Sequence, residues 1–229
     1  MHKLGKYTAD DNMSDLISDH YRILLVMSRF GIGLGFGDRS IGEVCEENGV
    51  DTVTFLAIVN MLLSEDESPD TTGVSIESLL SYLHSSHDYF LDFRLPFIRT
   101  KLVVILGTDD DLAKAIIRYF DEYVDEVRGH MLYEEETVFP YVRTLLKGKK
   151  PSKYSIAVFE KRHNQIEARL TEFKEIFIRY YSAKSTNELN NVLFDIFNCE
   201  HDLASHNAVE DFLFVPAIEK LEKQLKGKA

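Results

Sequence analysis

The chain has no tryptophan, only two cysteines and five prolines, and a shortage of basic residues against acidic ones. Each shortage excludes something. Cys45 and Cys199 have no thiolate metal spacing and are too few for a disulfide framework, which suits a reducing compartment, although one bridge between them stays open. With 38 acidic against 26 basic residues the net charge is −12. That balance repels phosphate backbones and anionic lipid, so neither nucleic acid nor a membrane surface is expected as a partner. No apolar run approaches the roughly 18 residues that a membrane span needs, and the stretch from Met1 to Leu16 lacks the apolar core of a signal peptide. A cytoplasmic location is therefore expected. The stretch Gly31-Ile32-Gly33-Leu34-Gly35-Phe36-Gly37 is not followed by the Lys-Ser/Thr of a phosphate loop, so it reads as a packed turn.

What the chain does have is helical periodicity, which predicts an all-α protein. Residues 1–12 are polar and expected to fray. A helical pattern starts near Ser14, and two shorter ones cover about 40–48 and 51–65, giving a small three-helix N-terminal domain over 1–65. Residues 66–74 are acidic with Pro69 and Gly73, and read as a linker. Four long helices follow, roughly 75–106, 109–146, 152–181 and 186–225, forming a domain over 75–226. Gly107 and Gly148-Lys149-Lys150-Pro151 end the first two. Thr108-Asp109-Asp110-Asp111 resembles a capping box, and Ser185 with Glu188 has the same signature. Short loops within the first and second helix pairs predict an up-down-up-down four-helix bundle.

The chemistry lies in a unit that occurs twice, His130-x3-Glu134-x5-Pro140 and His206-x3-Glu210-x5-Pro216. A helix turns once in about 3.6 residues, so each His and Glu share one face. His87 precedes His130 by the same number of residues as His163 precedes His206, a sign of a doubled hairpin, and near-equal distances to each hairpin loop let all four histidines meet in one layer of the bundle. A lone His-x3-Glu is ordinarily a solvated helix face; four histidines and two glutamates in one register point to a metal site. Unpaired carboxylates in an apolar core cost several kcal/mol each, a cost that two metal ions would remove. A nitrogen and oxygen donor set without thiolate suits iron or manganese over a structural zinc. The expected ligands are His87, His130, Glu134, His163, His206 and Glu210. An oxo or hydroxo bridge would leave each ion one position for a small molecule. His84 and Glu167 are possible further ligands but read as outlying groups. His201 reads as a surface residue, Tyr133 as a pocket-lining or packing aromatic, and His2 and His20 carry no spacing signal.

His87-Asp88, His130-Met131-Leu132-Tyr133-Glu134-Glu135, His163, and His206-Asn207-Ala208-Val209-Glu210 before Phe214-Val215-Pro216 resemble the hemerythrin-like HHE cation-binding domain. The likeness is nearest to its repair-of-iron-centres branch. That branch carries a small N-terminal domain, which residues 15–63 resemble through Tyr21, Phe30-Gly31-Ile32, Gly37 and the run Glu43 to Val50. The resemblance implies a non-haem di-iron centre on those six residues. It also implies reaction with NO or O2 and repair of damaged iron-sulfur clusters, with iron-sulfur proteins as partners. An O2-binding carrier or sensor is the alternative; oxygen-carrying hemerythrins generally use five His, one Glu and one Asp. The branch usually has two adjacent cysteines where this chain has Gly35 and Phe36, so its thiol chemistry does not carry over.

Overall fold

The computed structural model describes residues 5–64, 69, 71–107, 110–149, 154–156, 163–181 and 187–227. Among them the fold is all-helical, and the one strand-like pairing is an isolated bridge between Asn12 and Ser40. The chain forms two compact units, Met1–Ser86 with Ala208–Ala229, and His87–Asn207.

In the first unit, α1 (Met13–Asp19), α2 (Ile23–Arg29), α3 (Ile41–Glu47) and α4 (Thr52–Leu63) precede α5 (Ile76–Asp88). The first helical pattern of the sequence is thus divided, with a turn at residues 20–22 between α1 and α2. Side-chain caps explain three of the starts. Asn12 accepts from the Ser14 N–H and Asp51 from the Thr54 N–H, while Ser40 and Glu43 form a reciprocal capping box. Fraying over residues 1–12 does not extend to Tyr7. Its backbone is gripped from both sides by the Asn60 amide, at 2.7 and 2.9 Å, and its side chain is buried. Phe30 packs between Phe55 and Tyr82, and Arg29 donates to the Tyr82 hydroxyl at 3.3 Å. The glycine stretch is a turn, with positive φ at Gly31, Gly35 and Gly37. Ile32 anchors it in the core, while Leu34 projects into solvent and Phe36 is half-buried.

The second unit contains α6 (Leu95–Leu106), α7 (Asp111–Tyr133), α8 (Phe139–Leu146), α9 (His163–Tyr180) and most of α10 (Asn187–Val209), whose helix resumes as α11 (Val215–Lys226). One apolar core joins all four helical stretches, with Leu102, Phe120, Phe173 and Ile196 as representatives. A ring of ion pairs clasps each helix to the next. Arg99 meets Asp121 at 2.6 Å between α6 and α7, Arg169 meets Glu126 between α9 and α7, and Lys174 meets Glu200 between α9 and α10. Asp195 closes the ring from α10 by taking Lys101 at 2.7 Å and Arg94 at 3.2 Å.

Two boundaries differ from the sequence reading. The cap of α7 is Asp110, whose carboxylate accepts from the Ala113 N–H; Thr108 lies outside the described residues, as does Ser185. The third helix does not run from 152, because Tyr154 and Ser155 are not helical. The reason is aromatic: Tyr154 shares a hydrogen bond with the Tyr133 hydroxyl at 3.0 Å and packs edge-on against Tyr141 at 4.8 Å, which ties this segment to the second helix.

Among the described residues, three of the long helices contain a π-helical segment, at Tyr89–Arg94, Glu134–Val138 and Glu210–Phe214, and each runs into a proline. Pro96, Pro140 and Pro216 cannot donate to the preceding turn and would crowd the carbonyl four residues back. The chain widens instead. The N–H before each proline bonds five residues back, Leu95 to Phe90, Phe139 to Glu134 and Val215 to Glu210.

Candidate metal centre

The widened turns lie where the expected ligands are. His87 stands in the last turn of α5, immediately before the first π segment; His130 is in the last turn of α7, and Glu134 opens the second. His206 is in the last turn of α10, and Glu210 opens the third on the same unbroken helix. All five side chains are buried, Glu134, His206 and Glu210 completely.

Glu134 sits between two imidazoles. Its Oε2 is 2.8 Å from His87 Nε2 and its Oε1 is 2.7 Å from His130 Nε2. Both contacts are at ion-pair distance. Burial pushes the Glu134 carboxyl up, but the facing His130 and His87 outweigh it and hold it well below the ordinary carboxylate range. Ligand atoms of His87, Glu134 and His206 lie within 4.8 Å of one another, a group that could hold an ion.

The His87 ring is fixed from several sides. Phe139 stacks on it with centroids 5.5 Å apart and planes 7° apart, and His206 meets it edge-on at 5.2 Å. Its other nitrogen, Nδ1, is 2.8 Å from Glu135 Oε1. Phe90 stands edge-on to His206 at 5.9 Å. Glu135 and Phe139 were not singled out by the sequence reading, nor was Asp202, which is buried one turn before His206. The adjacency of Glu135 to Glu134 was the available signal for the first. Phe139 gave none, because its phase depends on the extra residue of a π turn.

The remaining candidates separate cleanly. His163 opens α9, but its side chain and that of Glu167 lie outside the described residues, as does His2. His84 and His201 are exposed. His20 is half-buried against the edge of Tyr7, and Tyr133 is occupied with Tyr154. Cys45 and Cys199 are both buried thiols outside any disulfide, which removes the bridge left open by the sequence. Burial pushes the Cys45 thiol up to about 11.

The residues fit a metal. The buried Glu134 carboxylate among three buried imidazoles forms a nitrogen and oxygen donor set without thiolate, and a cation would offset the cost of burying its charge. No described helix is long and apolar enough to cross a membrane. The model of the hemerythrin HHE cation binding domain matches residues 78–218. No curated protein matches the chain.

Proposed function

The chain belongs to the hemerythrin HHE cation-binding family, and from that premise we propose that it is a non-haem di-iron protein of nitrosative and oxidative stress. In this reading His87, His130, Glu134, His163, His206 and Glu210 hold two irons. The protein reacts with NO or O2 and supports the repair of damaged iron-sulfur clusters in the cytoplasm. The observation that carries the reading is Glu134, fully buried and facing two histidine nitrogens at once. Iron held there would supply a redox-active Lewis acid for a small diatomic molecule.

The chain's own residues do the rest. Glu134 and Glu210 bring negative charge into an apolar interior, which favours the more highly charged state of a bound metal. Phe90 and Phe139 wall the histidines with hydrocarbon and keep bulk water away. His84 is exposed, so it does not supply the additional buried histidine that the oxygen-carrier reading asks for.

Elemental analysis of protein from iron-replete cells tests the stoichiometry, with two irons per chain expected; one metal or fewer counts against the di-iron reading. Optical spectra on adding NO and O2 test the chemistry. An irreversible change is expected. A stable oxygen adduct that forms and discharges over repeated cycles would replace repair by oxygen carriage.

A further inference from the structure

We propose that Glu135 is a positioning residue for the metal centre, selecting the His87 tautomer and holding its Nε2 toward the ligand cluster. This rests on the reading of the cluster as a metal site. With a cation on Nε2, the 2.8 Å contact with the Glu135 carboxylate would keep the His87 proton on Nδ1, so that Nδ1–H donates to Glu135 and the Nε2 lone pair faces the ion. Two restraints act together. Phe139 sets the plane of the ring by stacking, and Glu135 sets its rotation within that plane, since a ring flip would replace Nδ1 by a carbon opposite the carboxylate.

Both carboxylates stand at the opening of the widened turn. Glu134 and Glu135 are neighbours in the chain, yet they reach opposite nitrogens of one imidazole, each at 2.8 Å. Glu134 is fully buried, whereas the Glu135 side chain keeps 24% of its surface exposed. Its charge therefore stays partly solvated at little cost, while it makes the His87 ring a stronger electron donor to a cation.

The test uses full-length protein, cobalt(II) and ferrous iron competed against a chelator, and the midpoint potential of the iron-loaded form. Glu135→Ala should weaken the hold on one ion by about 10- to 100-fold. Glu135→Gln keeps an acceptor oxygen and loses only the charge. It should retain both ions and the melting temperature of the metal-free protein, but raise the midpoint potential. A merely structural role would leave that potential unmoved. Unchanged potential in Glu135→Gln overturns the proposal even if Glu135→Ala fails to fold. Equal affinity in wild type and Glu135→Ala also overturns it and leaves the metal reading standing. A wild-type chain that binds neither ion overturns both.

Discussion

Phe139 lies flat against His87, although five residues separate it from Glu134, the ligand that faces the same ring. On a uniform α-helix those two positions differ by about 140°, and they would not serve one imidazole. The π segment Glu134–Val138 brings them together. Inserting one residue beside the exposed Glu136 should advance Phe139 by about 100° relative to Glu134. The expected result is loss of at least one metal ion by elemental analysis. Phe139→Leu, which keeps the phase, should retain both ions at a stability cost of about 1.5 kcal/mol or less by denaturant melts.

Glu134→Ala should release at least one ion, while His84→Ala leaves the metal content unchanged. The first removes a buried carboxylate that faces two histidines, and the second alters an exposed residue. Loss of metal in the His84 variant would mean that the cluster has been drawn around the wrong histidines.

Cys45 should be inert as a thiol. Burial raises its pKa to about 11 against about 8.5 unfolded, so its share of stability is complete below pH ~8.5 and disappears as pH rises toward the folded value. A thiol reagent at neutral pH should reach Cys45 only after denaturant is added. Cys45→Ala should cost about 1 kcal/mol and leave NO reactivity and iron transfer unchanged. Loss of either would show that one cysteine replaces the absent pair.

Asp195 and Asp121 both belong to the ion-pair ring, but they are not equivalent. Asp195 binds Arg94 and Lys101 in a half-buried corner, whereas the Arg99–Asp121 pair is exposed. Asp195→Asn should cost about 1.5–3 kcal/mol and Asp121→Asn less than about 1 kcal/mol, read from chemical denaturation at moderate salt.

Tyr154→Phe should lose about 0.5–1.5 kcal/mol, the value of one net hydrogen bond, and Tyr133→Phe should match it. The double variant should cost no more than either alone, because both changes remove the same bond. Additive losses would assign the hydroxyls to separate partners.

The long helices and the buried His-Glu pairs were legible because periodicity and the recurring His-x3-Glu-x5-Pro unit are local properties of the chain. Three things were not. The break between α1 and α2 falls at His20-Tyr21-Arg22, where no glycine or proline marks it. The non-helical Tyr154 is held by Tyr133 and Tyr141, partners that local propensity does not contain. The role of Glu135 rests on its contact with His87, a partner on another helix that the periodicity of its own helix does not name. The prolines were visible as part of the repeated unit, but read alone they marked only a helix that bends or stops.

The bonds that bridge five residues have a kinetic side. A π turn interrupts the regular ladder of α-helical bonds with bonds that span five residues, and Glu134 and Glu210 open such turns. In hydrogen exchange the amides just before Pro140 and Pro216 should open ahead of their α-helical neighbours at equal depth in the protein. The carboxylates can then shift with a metal's changing radius while the helices on either side stay closed.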